Sequence, residues 1–212
     1  MKFKVTHFTE YLFSSDVFLE PHYLRLTPRQ TPHNQVTAFG LDIFPEPEGL
    51  SYQTDEKGNL VHLCWFEGMT SQLSIKSESL IDVEEFNPLD FLLYPSEFFT
   101  LPFTYSEYQK SALASSLRFE PISDPLRHYG ERIASEANFD TVTFITNLTR
   151  QIHDDFTVDY RQFGEPYKPD KTFELKTGSC RDLTWMQINL LRNMGVAARF
   201  VSGYFYFPID PP

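Results

Sequence analysis

Residues 178–204, GSCRDLTWMQINLLRNMGVAARFVSGY, decide how this chain folds. Leu183, Met186, Leu190, Leu191 and Met194 recur at three- and four-residue spacing, which predicts one amphipathic helix packed on a core. The helix starts near Cys180 and ends at Gly195, a good C-terminal cap, with Arg192 in its last turn. From Val196 to Phe207 the β-branched and aromatic residues predict a strand. A cysteine at the start of a helix is the feature with chemical content. Only a thiolate attacks, and an unperturbed thiol has a pKa of about 8.5. The first turn of a helix offers unpaired N–H groups and the positive end of the dipole, which favour the thiolate and can hold an oxyanion. Gly178 is expected to let a substrate backbone come close. Arg181 adds positive charge and Asp182 opposes it, so their net effect has no sign from sequence.

A lone cysteine is most often a small buried apolar residue. That reading fits Cys64, inside Val61-His62-Leu63-Cys64-Trp65-Phe66. On position alone Cys180 stays open between core residue and nucleophile.

Working outward, Asp124-Pro125 reads as an N-cap with proline at the first helical position, opening a helix to about Ala137. Asp140 is expected to cap a second helix carrying Val142, Ile145, Leu148 and Ile152. Residues 87–120 form a connector with Pro88, Pro95 and Pro102 as breakers. Its many rings, among them Phe98, Phe103 and Tyr105, argue for packing across a junction and against a flexible linker. Residues 1–86 read as strands at Lys2–Phe13, Tyr23–Leu26, Val36–Phe44, Asn59–Phe66 and Gln72–Val83. Pro28 to His33, Pro45 to Gly49 and Asp55 to Asn59 mark turns, the last a hairpin with positive φ available at Gly58 or Asn59. Strands at this spacing indicate an antiparallel sandwich or barrel. The expected domains are 1–86, the connector 87–120, and 121–212.

Composition narrows the function. At 212 residues the chain buries roughly 70% of its unfolded surface, so it needs no staples. A net charge of -11 argues against nucleic acid, which needs basic faces. Two cysteines make no disulfide framework and suit a reducing compartment, with the cytoplasm as default. No signal core or membrane-length apolar run is visible, so no membrane partner is expected. The six histidines and two cysteines show no paired ligand spacing, and no phosphate loop appears, so neither metal nor cofactor is expected.

Gly178-Ser179-Cys180-Arg181-Asp182, followed by Leu190-Leu191-Arg192-Asn193-Met194-Gly195-Val196-Ala197-Ala198-Arg199-Phe200-Val201-Ser202-Gly203-Tyr204, closely resembles the core of bacterial transglutaminase-like proteins. The match runs over some 27 residues in order, with Val196-Ala197-Ala198 where the usual pattern is Ile-Pro-Ala. The motifs VTHFTEYLF, LRLTPRQTP and Asp55-x-x-Gly58-Asn59-x-Val61-His62 resemble the β-rich domain that precedes this core. The resemblance implies an α+β chain: an N-terminal antiparallel β-sandwich followed by a truncated papain-like, transglutaminase-like α+β core.

It also implies a Cys–His–Asp triad in which Cys180 forms a thioester with a peptide or isopeptide amide, and water or an amine then resolves it, giving cysteine protease or acyl-transfer activity. Ser179, Gly178, Tyr160 and Tyr204 are candidates for the cleft or oxyanion site. The chain departs from the family where the histidine should follow in a "HAW"-type strand, because no histidine lies after Cys180. A longer parent protein is therefore expected, with the 212 residues alone inactive. His128 and His153, upstream on predicted helices, offer a caspase-like order of histidine before cysteine, and His153 beside Asp154 and Asp155 fits a solvated helix end better. The rival from another class is a binding module that keeps the fold without the triad.

Overall fold

A computed structural model describes residues 1–161 and 163–206. The chain forms two compact units, 1–90 and 91–212.

In the first unit two three-stranded antiparallel sheets share an apolar interior. One has the order β1 (Lys2–Phe18), β6 (Met69–Val83), β3 (Asn34–Phe44), and the other β2 (His22–Leu24), β5 (Leu60–Trp65), β4 (Gly49–Thr54). Alternation sets the faces: Leu73, Ile75, Ser77 and Ser79 of β6 point inward, because successive strand residues point to opposite sides. Leu24, Cys64, Phe66, Leu73 and Ile75 form one cluster drawn from both sheets, with Leu41 and Ile43 packed against it. This is the antiparallel sandwich that the strand pattern predicts. Strand β1 pairs with β6 from Lys2↔Asp82 onward, and the register shifts between Leu12 and Val17. Gly58 takes the positive φ of the β4–β5 hairpin, and Asp55 accepts from the amides of Lys57 and Asn59. Hydrogen bonds from Asn59 hold the Asp55 carboxyl well below the usual range.

Cys64 is fully buried, and burial pushes its thiol pKa up, so this cysteine is core. His62, two residues away, is also buried between Phe39 and Tyr52, and desolvation lowers its pKa.

The second unit is mostly helical. After a 3-10 turn at Ser96–Phe99 come α1 (Glu107–Ala112), α2 (Ala114–Leu117), α3 (Asp124–Glu136) and α4 (Thr141–Asp155). The two-residue strand β7 (Thr157–Val158), α5 (Pro169–Leu175), β8 (Thr177–Gly178) and α6 (Cys180–Asn193) complete it. Leu126 and Ile133 of α3, Phe144 and Leu148 of α4, and Met186 and Leu190 of α6 are almost wholly buried together. Each such side chain contributes roughly 1.5–3 kcal/mol over an exposed one. Leu101 joins this core, and Phe98, Phe103 and Tyr105 pack against one another in edge-to-face and tilted contacts, so connector residues supply interior to the second unit.

Two local expectations change and one holds. The N-cap position of α3 is Ser123, with Asp124 and Pro125 inside the first turn; the Ser123 side chain caps no helix amide, and its amide and hydroxyl donate to Asp170 of α5. Asp140 does cap α4, accepting from Thr143. The strand expected over Val196–Phe207 is not formed across the described part, residues 196–206, where no neighbouring strand pairs with it; Phe207 lies outside the described residues. What holds its start is Arg192, which donates twice to the Ala198 carbonyl and once to that of Arg118. The turn into it is a Schellman motif: Val196 N–H to Leu191 C=O and Gly195 N–H to Arg192 C=O, with Gly195 at φ 81 where a side chain would be strained. No helix among the described residues is long and apolar enough to cross a membrane.

Candidate active site around Cys180

The loop that presents Cys180 begins at Lys176, which ends α5 in the left-handed region at φ 54. Its ammonium lies 3.7 Å from the centre of the Phe173 ring and 4.5 Å from that of Phe156, which anchors an otherwise disfavoured backbone. Thr177 and Gly178 then pair in parallel with Thr157 and Val158, and the Asp159 amide donates to the Gly178 carbonyl at 2.9 Å. Ser179 is the extended N-cap, and Cys180 is the first residue of α6. Cys180 is exposed, in contrast to Cys64. The amides of Asp182 and Leu183 donate to the Ser179 carbonyl, while those of Cys180 and Arg181 have no i−4 carbonyl within the helix and lie at the dipole's positive end.

Asp182, one turn into the helix, organises this loop. It is fully buried, and its two oxygens accept five hydrogen bonds. Oδ2 takes the Ser179 amide at 2.8 Å, the Ser179 hydroxyl at 2.6 Å and Arg161 Nε at 3.2 Å. Oδ1 takes Arg161 Nη2 at 2.6 Å and the Tyr167 amide at 2.8 Å. Burial by itself would raise the Asp182 pKa. The hydrogen bonds from Arg161, Ser179 and Tyr167 outweigh burial and hold the carboxyl well below the usual range. The same pairing raises the Arg161 pKa. Arg181, whose contribution has no sign from sequence, turns away to donate to the carbonyls of Arg161 and Phe163.

This geometry revises two candidate roles. Gly178 is buried, and a Cβ added there would stand 2.9 Å from Asp182 Cβ and 3.4 Å from Thr172 Cγ2. The space beside the glycine is taken by Asp182 and is not a channel for substrate backbone. Ser179 commits both its amide and its hydroxyl to Asp182, so it shapes the loop and is not a free oxyanion donor. Tyr160 is exposed just past β7, on the chain that the β7–β8 pairing brings alongside Gly178. Tyr204 is exposed on the separate segment that follows α6. His128 and His153 are exposed on α3 and α4, facing Glu131 and Asp154 of their own helices. Sequence reasoning missed Arg161, 21 residues from its partner Asp182, and the Tyr167 amide.

Gly178→Ala is expected to lower stability by about 1–3 kcal/mol through overpacking, and to disturb Cys180 more than α6 itself. Thermal melts together with thiol-labelling rates check this; an unchanged melt would show that the loop has slack.

Comparison with known proteins agrees with this architecture. Residues 3–82 match the bacterial transglutaminase-like N-terminal region, and residues 127–210 match the transglutaminase-like superfamily. Uncharacterized proteins of Mycobacterium tuberculosis and Mycobacterium bovis are each 29% identical over 221 residues, spanning 100% of this chain and 67% of theirs. One from Mycobacterium leprae is 21% identical over 212 residues, spanning 97% of this chain and 71% of its own. A solved structure described as "a Putative Cysteine Protease from Cytophaga hutchinsonii" aligns with a TM-score of 0.66 at 16% identity, over 92% of this chain and 64% of that one. At that identity the likeness concerns the fold. The chain thus spans about two thirds of the length of these proteins.

Proposed function

Because this chain belongs to the bacterial transglutaminase-like family, we propose that it carries the nucleophile half of a cysteine site that cleaves or transfers peptide or isopeptide amides. The observation that carries this reading is Cys180: an exposed thiol on the first residue of a 14-residue helix, on a loop pinned by a buried carboxylate.

The steps follow from the chemistry. The Cys180 sulfur, having given up its proton to a base, attacks the amide carbonyl carbon. The C–S bond forms as the carbonyl π electrons move onto oxygen, and N–H donors at the start of α6 favour that oxyanion. The C–N bond then breaks, the amine leaves with a proton from the base, and a thioester remains. Water or a second amine attacks it and returns sulfur to its starting state. No histidine follows Cys180 in the sequence. On this reading a histidine and its orienting aspartate come from beyond residue 212, for which the greater length of the relatives leaves room. The 212 residues alone are accordingly expected to turn over no amide.

The test is covalent trapping. The protein as its gene encodes it is incubated with activated acyl-peptide esters, quenched in acid and mapped by mass spectrometry. The reading predicts an acyl adduct on the peptide containing Cys180, labile to hydroxylamine and absent in Cys180→Ser. Absence of any adduct, with substrate unconsumed, would favour a binding module.

A further inference from the structure

We infer that Arg161 is a positioning residue for Cys180, acting through Asp182 to lock the strap made by Arg161 and residues 163–167 and the cysteine loop into one piece. This rests on Cys180 being the nucleophile, as proposed above. Arg161 begins the strap, and its side chain folds back over it. Its guanidinium donates to Asp182 with Nε and Nη2, to the Phe163 carbonyl at 2.9 Å with Nη1 and to the Glu165 carbonyl at 2.7 Å with Nη2. It also stacks 4.1 Å from the centre of the Tyr167 ring. Gly164, at φ 89, lets the chain wrap this closely, since a Cβ there would stand 3.0 Å from Nη1.

The same Asp182 oxygens hold the Ser179 amide and hydroxyl, one residue before the nucleophile. The Arg181 side chain, one residue after it, closes the ring by donating to the Arg161 and Phe163 carbonyls. Ser179 is thus tied directly to a guanidinium–carboxylate pair whose side chains are 20% and 0% exposed, and Arg181 to backbone carbonyls of Arg161 and Phe163, the second of which the same guanidinium also holds. The pair touches no position where substrate would react. Its effect is to fix the direction in which Cys180 leaves the loop, and to hold the strap as a rigid wall next to it. Lysine would keep the charge but lose the fork that bridges Asp182 to two strap carbonyls.

The experiment uses the protein as its gene encodes it and reads two quantities in one preparation: amide hydrogen exchange, and the rate at which iodoacetamide modifies Cys180. If wild-type Cys180 reacts no faster than the same thiol in urea, the nucleophile reading fails and takes this inference with it. If it reacts faster, Arg161→Lys is expected to speed exchange at the Tyr167 and Ser179 amides by roughly tenfold or more. The Cys180 rate is then expected to drop several-fold towards the urea value. In Arg161→Ala, millimolar ethylguanidinium should restore both quantities, while leaving wild type unchanged; a generally destabilised fold would not show such rescue. Slow exchange at Met186 and Leu190 verifies that a variant is folded, and Arg161→Lys decides if Arg161→Ala is not. An unchanged Cys180 rate in a folded variant, whether or not the two amides loosen, would overturn the inference while the nucleophile reading stands.

Discussion

Asp182→Ala is expected to destabilise the second unit by about 3–5 kcal/mol, the usual effect of removing one partner from a buried ion pair. Five donors converge on this carboxylate, and alanine leaves the Ser179 and Tyr167 amides and the Arg161 guanidinium facing a void. Urea unfolding followed by circular dichroism, with hydrogen exchange along α6, measures the loss. A cost under about 1 kcal/mol would mean that water replaces the carboxylate readily, as it does at surface pairs. The same group sets an acid limit. Its folded pKa lies below the unfolded value of about 3.9, so its contribution is fully present above that pH and fades as pH falls below it. Wild type should lose stability in that acid range, and Asp182→Asn should flatten the slope there.

Cys180→Ala is expected to have the opposite profile. In the protein as its gene encodes it, amide turnover should fall by a factor on the order of 10⁴–10⁶, the scale seen when an acyl-transfer nucleophile is removed. Stability should change by no more than about 0.5 kcal/mol, because the side chain is exposed. Steady-state kinetics and the melting curve separate the two. Residual turnover within tenfold of wild type would assign the chemistry to another group.

The contrast between Cys180 and Asp182 shows what the sequence makes legible. Glycine, serine and cysteine ahead of a periodic helix mark the proposed nucleophile, because local residues alone create a helix start. The β-sandwich is legible for a similar reason: period-two alternation and turn residues report on neighbours along the chain. Arg161 is not legible, since a single arginine in a loop has no period, and its partner is defined only by tertiary structure. The strand β4 escapes notice although Leu50 and Tyr52 alternate with Ser51 and Gln53, because two apolar residues between turn signals are too short a run to stand out; pairing with β5 makes it a strand. Val196–Tyr206 errs in the other direction. Its composition suits a strand, but a strand is completed by hydrogen bonds from a neighbour, and among the described residues none pairs with it. Ser123 stands at the N-cap position expected for Asp124, held by hydrogen bonds to Asp170 far along the chain, a partner the local sequence does not reveal.

The direct measurement is a comparison of two cysteines in one molecule. The folded protein is treated briefly with iodoacetamide, digested, and the modification of Cys180 and Cys64 is followed by mass spectrometry, alongside the same protein in urea. The account predicts that folding accelerates Cys180 by about tenfold or more over its urea rate, while Cys64 stays unmodified in its apolar sandwich. Equal or slower reaction of Cys180 in the folded state would contradict it.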